Sequence, residues 1–227
     1  MSLNPEIKTY YDQLAPTYDD SRFANSYGQY IHHQELKVLN KYLKVKDYEH
    51  SLDLACGTGR FLGFAKFGLD ISPEMLKVAQ AQFPAAELRE GHGADMPFPE
   101  GEFQNILSFH LMMHLQRADL EEILNEAHRI LKCEGLFIFD IPSAERRKLI
   151  NYKAENWHGA HSISPKRLQS ILGSQWTLHQ YYGIAFLPIH RIPKSLRRLF
   201  IGLDNLLSRS FLRRYSSHLI FILRKRC

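Results

Sequence analysis

The chain reads as an α/β protein built on a seven-stranded, mostly parallel sheet. Seven short apolar runs of strand character lie near residues 51–55, 66–70, 86–89, 104–109, 135–140, 175–185 and 218–224. Helical patterns at 73–82 and 118–131 fall between the early runs, and such alternation predicts parallel strands with helices on both faces. The last two runs lack a simple crossover. The sheet should therefore finish with one antiparallel strand, reached through a helical insert.

Taken in order, residues 4–43 read as helical, broken near Pro16 and Asp19-Asp20-Ser21, with a second helix from about Tyr27 to Leu43. The 73–82 helix is opened by Ser72-Pro73-Glu74, an N-cap followed by proline at the first helical position. In 118–131 the residues Leu120, Ile123, Leu124, Ala127, Ile130 and Leu131 follow a 3.6-residue period, one face against a sheet. About a dozen residues separate the first strand from the second. A parallel crossover normally needs that many or more, with a full helix, so residues 60–65 should supply only one or two turns of a trimmed helix. Residues 194–214 read as a helical pair or one broken helix. The whole, 1–227, reads as one domain with an N-terminal helical cap (1–45) and a basic amphipathic insert (190–216).

Apolar content of 44% and charged content of 23% are those of an ordinary globular protein. Cys56, Cys133 and Cys227 are far apart and lack a C-x-x-C spacing, which suits a reducing compartment better than a disulfide scaffold. With no signal-like start and no long apolar run, the expected location is cytoplasmic. The net charge of +5 hides an asymmetry: residues 191–227 carry ten Lys/Arg and one acid, so the first 190 residues are net negative. An anionic partner should meet the C-terminal end.

The first strand carries Asp53 and runs through Ala55 and Cys56 into Gly57-Thr58-Gly59, a turn whose missing Cβ atoms let a ligand lie against the main chain. Asp70 closes the second apolar run eleven residues after Gly59, where a carboxylate can accept from both hydroxyls of a ribose. A dinucleotide site would want G-x-G-x-x-G and an acid about 20 residues on. Here Leu62 stands at the third glycine position and the acid comes early.

These residues resemble the cofactor site of the class I S-adenosylmethionine (SAM) methyltransferases, in particular the group containing the ubiquinone/menaquinone-biosynthesis enzymes. Tyr10-Tyr11-Asp12 and Tyr18-Asp19 look like that group's N-terminal helix over the cofactor. Asp70-Ile71-Ser72-Pro73-Glu74-Met75-Leu76 and Met96-Pro97-Phe98-Pro99 are similar to its segments after the second strand and before the fourth, and Glu126-x-x-Arg129-x-Leu131 to its helix-to-strand link.

The resemblance implies a Rossmann-like fold and SAM as cofactor. It implies contacts from Tyr10, Tyr18, Asp53, Ala55, Cys56, Gly57, Gly59, Asp70, Ile71, Met75 and Phe109. It also implies His92-Gly93-Ala94 at the adenine edge, where His92 replaces the family's usual acid. The implied reaction is transfer of a methyl group to a small-molecule or lipid-like acceptor by in-line displacement. The alternatives are a non-catalytic SAM- or nucleoside-binding regulatory protein and a dinucleotide-dependent oxidoreductase.

His110 and His114 are four residues apart after the fourth strand. They are the candidate catalytic residues, at the mouth where loops after strands gather. No third ligand suggests itself beside them, so no metal site is assigned. Trp157, His158 and His161 fall where acceptor-recognition segments often sit. In the basic insert, Leu196, Leu199, Phe200, Leu203, Leu206 and Leu207 recur at helical spacing, flanked by arginines. The favoured reading packs this apolar face over the acceptor cleft with a basic outer face. Contact of 194–214 with an anionic membrane is the second reading. Nucleic acid ranks last, since aromatics for base stacking are few. The acceptor and the oligomeric state are not specified.

Overall fold

A computed structural model describes residues 5–155, 157 and 159–227. Three helices lead: α1 (Pro5–Leu14), α2 (Tyr18–Arg22) and α3 (Ser26–Tyr42), the last capped by the Asn25 side chain, which accepts from the Tyr27 and Gly28 amides. There follow β1 (Ser51–Leu54), β2 (Phe67–Asp70), α4 (Pro73–Gln82), β3 (Glu87–Glu90), β4 (Phe103–Ser108), α5 (Arg117–Ile130) and β5 (Leu131–Pro142). The chain ends with α6 (Ala144–Leu149), α7 (Pro165–Ile171), β6 (Trp176–Ile184), α8 (Lys194–Arg209), a 3-10 turn (Phe211–Tyr215) and β7 (His218–Lys225). Ser72 caps α4 by accepting from the Met75 amide, as its position before Pro73 predicts.

The sheet order is β3-β2-β1-β4-β5-β7-β6. Only β7 is reversed, pairing antiparallel with β5 and β6. Strand order reverses between β1 and β4, the switch point where open α/β sheets place ligands at the carboxyl ends of strands. Successive residues of β5 go to opposite faces. Phe137, Phe139 and Ile141 join α5 and α7 in one core, while Ile138 joins α3 in the other.

Two departures from the sequence reading have simple causes. Residues 55–65 form no helix but a run of tight turns, with Gly59 N donating to Cys56 O, Leu62 N to Gly59 O and Phe64 N to Phe61 O. The space beside this segment is taken by α3, whose Tyr30, Ile31, Val38 and Leu39 pack with Phe61 and Ala65. Second, Cys133 and Cys227 are bonded, with Cα atoms 5.3 Å apart. The β5–β7 register, Leu136 opposite Arg224, brings together two cysteines 94 residues apart in sequence. Among the described residues no helix is long and apolar enough to cross a membrane.

Candidate functional site

At the carboxyl ends of β1, β2 and β4 opens a cleft of about 820 Å³, roofed by α1 and α2. A smaller recess of about 320 Å³ adjoins it, and Tyr18, Ala55, Gly57, Phe109 and His110 line both. Gly57 adopts φ +54° and Gly59 φ +96°, the left-handed region where only glycine is free of strain. Thr58 Oγ1 donates to Asp19 Oδ1 at 2.7 Å, tying the glycine turn to α2.

Asp70, the last residue of β2, is buried and faces the cleft. Its Oδ2 accepts from the Gly57 amide (2.8 Å) and its Oδ1 from the Ser72 amide (2.9 Å). The carboxylate keeps acceptor capacity for a ligand hydroxyl. Burial raises its pKa, and the three backbone donors, Ser72, Gly57 and Ile71, oppose that rise. Asp53 lines the recess, 2% exposed, and its Oδ2 has no hydrogen-bond partner among the described residues. Burial pushes its pKa up to about 8, against the pull of Arg60, which lines the same recess. A buried acid without a donor and a guanidinium in one recess are the complement of a zwitterion, an ammonium beside a carboxylate.

Of the remaining sequence-expected residues, Tyr18, Ala55, Gly57, Ile71, Met75, His92, Gly93 and Phe109 line the main cleft. Cys56 lines the recess, its thiol pKa raised by burial. Gly59 lies behind the turn, against the Phe83 ring. Tyr10 does not line the cleft; its hydroxyl accepts from Arg22 and its ring meets Tyr11 and Trp157 edge-on. Tyr11, its neighbour, lines the cleft instead. Ala94 is also outside the lining; it packs against the core, and its amide donates to His92 Nδ1 at 3.1 Å. Burial lowers the His92 pKa. With Nδ1 accepting, the neutral ring carries its proton on Nε2, so toward a ligand His92 is a donor where an acid would accept.

His110 and His114 both line the cleft but belong to different networks. His114 is held by Tyr11, whose hydroxyl lies 2.9 Å from Nε2, and by the Gly159 amide, which donates to Nδ1 at 3.2 Å. Trp157 meets its ring edge-on. His114 thus joins α1 to the segment after α6. His161 donates its amide to Met113 O, and His158 lies outside the described residues.

His110 sits at φ +63° with its Nε2 3.0 Å from Glu35 Oε1. Its amide donates to Asp140 Oδ1 at 2.6 Å, and its Nδ1 is 3.9 Å from Asp140 Oδ2. Glu35 is fully buried and also pairs with Arg60 at 2.5 Å. Burial alone would lower the His110 pKa; Asp140 and Glu35 together outweigh it and raise it. Ligand atoms of Glu35, His110 and Asp140 fall within 4.8 Å of one another, and Arg60 supplies the positive charge against Glu35.

Sequence reasoning missed Glu35, Arg60 and Asp140. A signal existed: Glu35 stands in the apolar stripe Ile31, Val38, Leu39 of a helix, and Asp140 inside the run Phe137-Ile138-Phe139-Asp140-Ile141. A carboxylate within an apolar face is rarely buried unless it is paired.

The strand order and the single reversed strand are those of the Rossmann-like methyltransferase fold. Comparison with known proteins agrees. Residues 52–139 match the family described as methyltransferase domain. Demethylmenaquinone methyltransferase of Chlorobaculum tepidum is 32% identical over 138 residues, 57% of this chain and 56% of that protein. An uncharacterised protein of Methanocaldococcus jannaschii is 34% identical over 137 residues, 60% of this chain and 51% of that protein. The chain thus spans about half the length of these curated relatives. The solved SAM-dependent methyltransferase of Thermotoga maritima superposes with a TM-score of 0.66 at 17% identity, over 97% of this chain and 100% of its own. Residues 52–139 thus match the methyltransferase domain family, and the chain shares the fold of the solved SAM-dependent methyltransferases.

Proposed function

We propose that the protein binds SAM in the cleft and recess and transfers its methyl group to a small-molecule or lipid-like acceptor. The observation that carries this reading is the pair of carboxylates at the ends of adjacent parallel strands, on either side of the glycine turn. Asp70 faces the main cleft with acceptor capacity to spare, and Asp53 faces the recess with an unpartnered oxygen. The residues fit the group: Asp53 and Arg60 would hold its amino-acid end, Asp70 its ribose hydroxyls, and Ile71 and Met75 its adenine. His92 Nε2 would donate at the adenine edge. Cys56 and Gly59 support the turn from behind, and Tyr10 braces Tyr11.

When bound, SAM supplies a methyl group on a sulfonium sulfur, already activated toward nucleophiles. The protein's work is then alignment and exclusion of water. Tyr18, Phe109 and His110, which line both cavities, stand where the two ends of the cofactor would join. His110, its pKa raised by Asp140 and Glu35, is the titratable group in the cleft placed to take a proton from an acidic acceptor, a phenol or an enol. It can do so once the pH exceeds that raised value and its ring is neutral. His114 serves to close α1 over the cleft. The likeness to an enzyme named for demethylmenaquinone supports a quinol-type acceptor.

The test is calorimetric titration with SAM and S-adenosylhomocysteine, followed by transfer from labelled SAM to a panel of quinols, phenols and amines. Saturable binding of both ligands and transfer to the hydroxylated acceptors is the expected result. No binding of either ligand would reject the reading; binding with transfer to none of them would leave a nucleoside-binding protein.

A further inference from the structure

The helix α8 lies the opposite way round from the sequence expectation. Its leucines do not pack over the cleft: Leu196, Leu199, Leu203 and Leu206 are 49%, 76%, 45% and 67% exposed. The face turned inward carries Phe200 and Ile201, half-buried against the core, together with the polar Asp204 and Ser208. Asp204 is fully buried, receives the Tyr30 hydroxyl, and accepts from the Leu187 amide at 2.5 Å. Ser208, one turn on, is 2% exposed.

At spacings of three and four residues the exposed leucines form one continuous stripe along the helix. Beyond α8 the stripe is extended by Phe211, 84% exposed, in the 3-10 turn. That turn packs against α6, whose last residue Leu149 is exposed, as are Ile150 and Tyr152 just beyond it. Among the described residues, Val45 is the one large exposed apolar side chain outside these two segments. Both segments adjoin the end of the sheet where the cleft opens. α6 follows the carboxyl end of β5, and the 3-10 turn leads into His218, which pairs with Pro142 at that same end.

The surroundings of the stripe are basic. Arg198 and Arg209 are exposed on the neighbouring face of α8. Between α8, α3 and β6 lies a second cleft of about 1030 Å³ whose lining includes Lys37, Lys41, Arg209 and Arg213 and no carboxylate. Arg209 belongs to both features. A leucine stripe bordered by uncompensated cations is the pattern of a helix that lies in a bilayer interface, its apolar side in the acyl boundary and its cations among anionic headgroups.

We infer that α8 and the basic cleft beside it form a docking surface for an anionic lipid bilayer, which sets the mouth of the site against the membrane. The inference stands on this surface and is independent of whether the cleft binds SAM. The second cleft receives headgroup phosphates, and the leucine stripe with Phe211 enters the apolar boundary.

The experiment is flotation of the full chain with vesicles of phosphatidylcholine alone, and with about one third of the lipid replaced by phosphatidylglycerol. The protein is expected to float with the anionic vesicles only. Raising salt from about 0.1 M to about 1 M, which shortens the Debye length from ~10 Å to ~3 Å, should release much of it. A Leu199→Ser/Leu206→Ser double variant, altered only at exposed positions, should keep its melting temperature and partition at least about tenfold more weakly. A Lys37→Glu/Arg209→Glu variant should lose the preference for anionic lipid. Absence of flotation on anionic vesicles, or equal flotation of the leucine variant, overturns the inference. So does a concentration-dependent dimer, seen in sedimentation without lipid, that the leucine variant abolishes, because the stripe is then an interface between copies.

Discussion

Replacing Glu35 by Gln tests the electrostatic account of the cleft floor most directly. The carboxylate is fully buried and is shared by Arg60 at 2.5 Å and His110 at 3.0 Å. Burial alone would raise its pKa, but Arg60 and His110 overcome this and hold it at about 2, against an ordinary value of 4.5. At 1.36 kcal/mol per tenfold, that difference corresponds to about 3 kcal/mol of stability at neutral pH. Removing one partner of a buried pair costs about 3–5 kcal/mol by an independent route. The amide also points a donor at a donor. For a chain of this size 1 kcal/mol moves the melting temperature by about 2–4 °C, so the variant should melt roughly 6–20 °C lower at neutral pH.

The sign of the pH dependence is specific. A carboxylate with a depressed folded pKa contributes stability that is present above 4.5 and lost as pH falls toward 2. The gap between wild type and variant should therefore narrow to about half its neutral value near roughly pH 3. His110, whose folded pKa is raised, acts in the opposite sense: its contribution is complete below 6.5 and fades as pH rises through its folded value. The assay is thermal or urea unfolding of both proteins across this range. A variant that melts within a degree or two of wild type, or a gap that does not change with pH, would refute the reasoning.

Two further predictions concern binding and the lid. If Asp53 is held near 8 until a ligand ammonium reaches it, SAM binding near pH 7 should release about one proton per molecule bound. Calorimetry in buffers of different ionisation enthalpy reads this directly. A buffer-independent enthalpy, or linkage that survives Asp53→Asn, counts against the assignment. In Gly28→Ala the added Cβ would lie 2.1 Å from the backbone oxygen of Arg22, at the junction of α2 and α3. Forced overpacking of this kind costs about 1–3 kcal/mol, and relief would displace Tyr18 from the cleft, so both melting temperature and SAM affinity should fall. An unaltered affinity would separate the lid from the site.

The order of elements was legible because each carried its own local signal. The Ser72-Pro73 cap sets where α4 starts, the 3.6-residue stripe in 118–131 sets the inward face of α5, and the Asp70 carboxylate marks the end of β2. What local pattern cannot carry is pairing across the chain. Cys133 and Cys227 meet through the β5–β7 register, and Glu35 meets His110 only once α3 has filled the space beside the short crossover.

The same limit explains α8. Amphipathicity predicted that one face of the helix would be inward, and it was read as the leucine face because burying apolar surface is the usual driving force. Which face wins depends on what the rest of the protein offers. Here Tyr30 and the Leu187 amide present hydrogen bonds that a leucine could not accept, and Gln34 adds a third donor toward Asp204 at 3.4 Å. A buried amide or hydroxyl left without a partner costs about 1–3 kcal/mol, comparable to the gain from burying one leucine. With three donors waiting, the acid is drawn in and the leucines remain outside. A sequence that keeps four exposed leucines next to arginines retains an apolar surface that this chain alone does not bury, and that surface stands at the end of the sheet where an acceptor would enter.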